Sequence, residues 1–145
     1  ILALSMPTEF LDRWVSKFNF QSDWLNIIDG IFELQSVLSK VVEPGLRNSD
    51  LFALLNKINE NVLKACLIID EFSYLKDKIS IFLNELQYLS IQLSGKDLIQ
   101  LGVSEGPNLG KILDKLHAAK LNGIIFSRDD EEDFVRKILK EINEF

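Results

Sequence analysis

The chain has 145 residues with 16 basic and 22 acidic side chains, a net charge of −6, and 47% of its residues are hydrophobic. That is one domain's worth of sequence or two small ones, and the balance excludes wholesale disorder, collagen and disulfide-framework classes. The single cysteine, Cys66, closes no intramolecular disulfide, and the single histidine, His117, anchors no multi-histidine metal site, so a reducing compartment and no bound metal are expected. Net acidity also argues against broad, charge-driven nucleic-acid binding, which needs Lys and Arg wherever phosphates lie; any such contact has to be local.

The sequence opens at Ile1 and holds one methionine, Met6, so a piece of a longer chain is expected, with residues 1–6 the end of a helix begun upstream rather than a signal peptide. No run reaches the roughly 18 apolar residues of a membrane span; the densest, residues 62–69, is interrupted by Lys64. A soluble, cytoplasmic protein without a membrane partner is the expectation.

Apolar residues recur three and four apart nearly throughout, which predicts an all-α fold, a bundle of about seven or eight helices. Phe10, Leu11, Trp14, Val15 and Phe18 form a first stripe behind Pro7 and the capping candidate Thr8. Trp14, Phe18, Phe20 and Trp24 cluster as aromatics suited to a core or to an upstream domain. Ser22 opens a second helix running to about residue 42, weakened modestly by Gly30 and ended by Pro44-Gly45. Ser49 is expected to cap a shorter helix to about residue 58, and another follows over residues 61–70. A long helix over residues 75–93, with Ile79, Phe82, Leu83, Leu86 and Leu89 on one face, is predicted to be central.

Beyond residue 93 the texture changes: five of the seven glycines, Gly95, Gly102, Gly106, Gly110 and Gly123, fall within some thirty residues. A short helix over residues 97–101 stops at Gly102, Gly106-Pro107 starts another to about residue 122, and Gly123 ends it. Ser127 caps a last helix whose acids, Asp129 to Asp133, come first and whose bases, Arg136, Lys137 and Lys140, come later, complementing the helix dipole. The expected division is a helical body over residues 1–94 and a helix-hairpin-helix-like tail over 95–145. Charge divides similarly. Residues 1–94 hold 8 basic and 12 acidic groups, residues 95–128 hold 5 and 3, and residues 129–145 hold 3 and 7. Only the glycine-rich stretch is positive.

A glycine-rich corner between two helices aims backbone N–H groups toward the second helix's start, where a phosphate can sit without a cluster of basic side chains. On that reading Gly102, Gly106, Pro107 and Gly110 shape the phosphate site and Lys111 and Lys115 flank it, with Lys96, Lys120 and Arg128 supplying further local charge. The plainer alternative is a tight helical corner and nothing more.

The run Leu93-Ser94-Gly95-Lys96-Asp97-Leu98-Ile99, then Leu101-Gly102-Val103, Gly106-Pro107, Gly110 and Leu113, resembles the carboxy-terminal region of bacterial tRNA nucleotidyltransferases, the CCA-adding and poly(A) polymerase superfamily. Ala119-Lys120-Leu121-Asn122-Gly123-Ile124-Ile125 and the helix opening Ser127-Arg128-Asp129-Asp130-Glu131-Glu132 continue it. The resemblance covers residues 93–132 well and 49–142 loosely. It implies a body-and-tail module that grips the acceptor and T arms of tRNA, while an upstream head and neck of the same chain transfer nucleotides with Mg2+, ATP and CTP. The head's Gly-Ser and Asp-x-Asp motifs are not in this chain, so no cofactor and no catalytic residue are expected in it.

Glu132-Asp133-Phe134-Val135-Arg136 matches the family's Glu-Asp-x-x-Arg base-reading motif, but after the hairpin rather than before it, and reads as a solvated first turn with ordinary i,i+4 pairs. His117 is expected to touch phosphate or solvent and Cys66 to fill a core. The adjacent carboxylates Asp70-Glu71 and Asp129-Asp130 diverge by about 100° on a helix and are poorly placed to share a metal. The rival to an RNA-binding module is a helical protein-interaction or dimerisation domain.

Overall fold

The computed structural model describes residues 22–143, with side chains over 26–69 and 72–141. The stripe at Phe10 to Phe18 and the aromatics Trp14, Phe18 and Phe20 lie outside the described residues, and Trp24 is described in its backbone alone. Among the described residues the chain is all-α: seven α-helices, two 3-10 turns and no strand. The described residues divide into two compact units, one of residues up to Leu46 with Asp50–Gln87, the other of Arg47–Ser49 with the residues from Tyr88 on.

The first unit holds α1 (Ser22–Val41), most of α2 (Asn48–Leu55), α3 (Glu60–Ile68), a 3-10 turn (Asp70–Leu75) and α4 (Lys76–Asn84). Its buried residues include Leu34, Leu55, Leu63, Leu75 and Ile79. The Phe52 and Phe82 rings meet at 5.9 Å and 52°, a tilted geometry that suits the ring quadrupole. Gly30 does more than weaken α1. A Cβ there would stand 2.8 Å from the Cβ of Asn59 and 3.2 Å from Val62, so the missing side chain is what lets α3 approach. Asn59 caps α3 by accepting the Asn61 N–H at 2.9 Å. The last carbonyls of α1 would lack partners, but Lys78 reaches back from α4 and donates to Val41 O at 2.6 Å and Glu43 O at 3.0 Å.

Two expected elements are corrected. Ser49 does not cap α2: it lies inside the helix, its N–H donating to Asn122 Oδ1 and its Oγ accepting from Asn122 Nδ2, each at 3.0 Å. The helix also ends at Leu55, short of residue 58. The long helix over residues 75–93 does not form. α4 stops at Asn84, Glu85 turns to φ −128° and ψ −64°, a short 3-10 turn covers Leu86–Tyr88, and the rest is irregular. The residue pattern continues, but the backbone polar groups find other partners. Gln87 Nε2 donates to Leu83 O, and the N–H groups of Gln92 and Leu93 turn to a carboxylate 39 and 38 residues downstream.

The second unit holds α5 (Gly95–Gln100), α6 (Pro107–Leu121) and α7 (Arg128–Asn143) around Leu93, Leu98, Val103, Ile112, Leu116, Ala119, Ile125, Val135 and Ile138. α5 and α6 end alike. Gly102 and Gly123 take φ +101° and +66°, their N–H groups bond Ile99 O and Lys120 O, and the following Val103 and Ile124 bond Leu98 O and Ala119 O. That pair of bonds closes the orphan carbonyls of each helix.

α5 and α7 also begin alike. Ser94 and Asp97 form a capping box; Ser127 Oγ accepts from Asp130 N at 3.1 Å while Asp130 Oδ2 accepts from the N–H groups of Ser127 and Phe126 at 2.8 and 3.0 Å.

Candidate nucleic-acid interface

The candidate residues lie on the corner between α5 and α6 and on α6 itself, all within the second unit. Gly106 sets the corner. At φ +116° and ψ −157° it occupies the N-cap position with no side chain to bond the first amides of α6, a conformation that L side chains rarely adopt. Pro107 follows at the first helical position, where its missing N–H costs nothing. Gly106, Pro107 and Gly110 are exposed. A Cβ on Gly110 would meet nothing within 4 Å, so this glycine admits no helix contact and leaves the backbone open to solvent. The close helix approach in this corner lies at Gly95, where a Cβ would stand 3.2 Å from the Leu109 side chain.

Lys111 and Lys115 are exposed and one helical turn apart, with Asn108 a turn earlier on the same stripe. Lys96 is exposed on α5. The other two expected cations are paired with acids, Lys120 in the interior and Arg128 at the surface. Lys120 Nζ lies 2.7 Å from Glu131 Oε1, with the two side chains 10% and 0% exposed. Arg128 Nη2 lies 2.8 Å from Asp97 Oδ1, and its Nε lies 3.5 Å from Glu132. Arg128 thereby ties the capping box of α5 to the first turn of α7. His117 Nε2 lies 3.1 Å from Leu89 O; a carbonyl only accepts, so this nitrogen carries the proton.

Electrostatics follow the hydrogen bonds. Asp97 is held far below the ordinary carboxylate range by the Ser94 hydroxyl and N–H, then by Arg128. The N–H groups of Ser127 and Phe126, with the Ser127 hydroxyl, lower Asp130. Glu131 is wholly buried. Burial alone would raise its pKa, but Lys120 and the N–H groups of Leu93 and Gln92 outweigh that and hold it below the ordinary value. Cys66, a buried free thiol, is pushed up by burial.

One acid at the start of α7, just before the Glu132 to Arg136 motif, turns inward, and the sequence reading gave it no role. Glu131 is the one charged side chain buried among the described residues. The signal that finds it is register: Glu131, Val135 and Ile138, at i, i+4 and i+7, form the inward stripe of α7. The Glu132 to Arg136 motif forms the expected helical pairs, Arg136 to Glu132 at 3.2 Å and to Asp133 at 3.5 Å.

Beside the corner, a cleft of about 420 Å³ opens between residues 101–104, the start of α6 and the later half of α7. Among the described residues no group of three or more His, Cys, Asp or Glu is arranged to hold a metal. No described helix is long and apolar enough to cross a membrane.

The fold and this surface define an all-α chain whose second unit carries a glycine-shaped, lysine-flanked helix start. The chain is 30% identical over 86 residues to the A-adding tRNA nucleotidyltransferase of Geobacter sulfurreducens, a match covering 59% of this chain and 10% of that protein. The chain thus spans about a tenth of the relative it matches. No family model and no solved structure matches it.

Proposed function

We propose that the second unit is an RNA-binding module that positions tRNA for a tRNA nucleotidyltransferase, the nucleotide-transfer chemistry residing in other parts of such an enzyme. The observation that carries this reading is the similarity to an A-adding tRNA nucleotidyltransferase. The supporting surface is the exposed Lys111–Lys115 stripe beside Gly106, Pro107 and Gly110, with Lys96 nearby in sequence on α5. Backbone amides at the open start of α6 and two lysine ammoniums suit one or two phosphates. Lys120 and Arg128 tie the end of α6 and the start of α5, whose helices carry those lysines, to the first turn of α7. On this reading the partner is the acceptor and T-arm region of tRNA, the compartment is the cytoplasm, and Mg2+, ATP and CTP belong to the catalytic part.

Charge reversal tests it. Lys111→Glu with Lys115→Glu is expected to weaken binding of an acceptor-stem minihelix by at least tenfold at low salt with the helical content unchanged; unaltered binding refutes the assignment. A helical protein-contact module is the second reading, favoured by Ile124 and Phe126, which stand 63% and 73% exposed between α6 and α7. It predicts a stable dimer by sedimentation that survives the same charge reversal.

A further inference from the structure

The cleft beside the corner has two kinds of wall. Half-buried Leu101 and Leu139 supply apolar surface over the buried Val103 and Ile112, while Ser104 and Asn108 line one part of it and Arg136 and Lys140 another. Its volume of about 420 Å³ falls within the roughly 300–1,000 Å³ of small-ligand sites. Arg136 and Lys140 are one turn apart on α7, so two cations border the same opening. No carboxylate lines the cleft; Glu132 and Asp133 bond the Arg136 guanidinium at 3.2 and 3.5 Å but are not part of the wall. The occupant that fits is one with a flat, uncharged, hydrogen-bonding body and an attached anion. An aliphatic ion would leave Ser104 and Asn108 unused, and a bare phosphate would leave the apolar wall wet.

We propose that this cleft seats one unstacked nucleotide of the bound RNA, its base against Leu101 and Leu139 over the floor at Val103 and Ile112, and its phosphate at Arg136 and Lys140. Apolar side chains hold an extruded base much as aromatic ones do, and Ser104 and Asn108 offer donors and acceptors to its edge. Asn108 joins the two surfaces, since it lines the cleft and lies on the same α6 stripe as Lys111 and Lys115. The backbone-binding stripe thus leads into a pocket for a single base. This assignment rests on the RNA reading above and adds a second, chemically distinct contact to it.

The test is a methyl NMR titration of the full 145-residue chain with adenosine 5′-monophosphate, inorganic phosphate and the acceptor-stem minihelix in separate arms. The nucleotide and the minihelix are expected to move the methyls of Val103, Ile112 and Leu139, and phosphate alone is not. Lys140→Glu, at an exposed position, is expected to weaken the nucleotide roughly tenfold, the loss of one charge-assisted contact. Ser104→Trp, at the exposed mouth, is expected to abolish the methyl shifts. If the minihelix binds through Lys111 and Lys115 while the cleft methyls stay still, the cleft assignment fails and the RNA reading stands. If the free nucleotide moves them and the minihelix does not bind, the RNA reading fails and takes the RNA part of this assignment with it. Equal shifts from phosphate and nucleotide overturn the base site.

Discussion

Replacing Glu131 by Ala should be among the most damaging substitutions in the second unit. The side chain is wholly buried and accepts from Lys120 Nζ at 2.7 Å, Gln92 N–H at 2.8 Å and Leu93 N–H at 2.9 Å. Truncation leaves an ammonium that is 10% exposed without its counter-ion and two backbone donors without acceptors. Breaking a buried pair in this way costs about 3–5 kcal/mol, against a total stability of about 5–15 kcal/mol for an ordinary domain. The relevant assay is urea denaturation followed by far-UV circular dichroism, with hydrogen exchange at the Gln92 and Leu93 amides reporting the unit directly. Adding Lys120→Met to Glu131→Ala removes the stranded charge and should recover part of the loss, whereas a merely volumetric effect would not be recovered. A loss below about 1 kcal/mol, or a double variant no better than the single one, would refute the reasoning.

Glycine offers a paired prediction. Gly30→Ala should destabilise despite alanine's better helix propensity, because its Cβ would press on Asn59 at 2.8 Å; Gly110→Ala, with nothing within 4 Å, should stabilise by about 0.5–1 kcal/mol. Thermal melts of both variants decide it, and a shared sign contradicts it. Acid should loosen the second unit. Asp97, Asp130 and Glu131 are held below their unfolded values, so their stabilisation is complete above about pH 5 and fades as pH falls through the native values. The urea midpoint should therefore drop from about pH 5 toward pH 2, with a flatter dependence in Glu131→Gln; equal slopes would contradict this.

Local chemistry made most of the helical order legible. Ser127, Gly102, Gly106-Pro107 and Gly123 stand where helix starts and stops need them, and their dihedrals and hydrogen bonds follow. What the sequence concealed is tertiary. No proline or glycine marks the end of α4 at Glu85, and the amides of Gln92 and Leu93, which a longer helix would have used, bond Glu131 instead. Ser49 looked like a cap until Asn122, 73 residues away, took both its polar groups. In the candidate interface, charge counting located the positive stretch but not its distribution. Lys120 is paired with the buried Glu131 and the exposed Arg128 with Asp97 and Glu132, while Lys96, Lys111 and Lys115 are exposed.

The most direct test of RNA binding by this surface is the affinity of the 145-residue chain for a tRNA minihelix at two salt concentrations. With one or two phosphates engaged and a slope near −0.9 per phosphate, log K should fall with log salt at about −1 to −2, and more shallowly in Lys111→Glu with Lys115→Glu. Absence of binding at low salt, or a slope unchanged by the two substitutions, would contradict it.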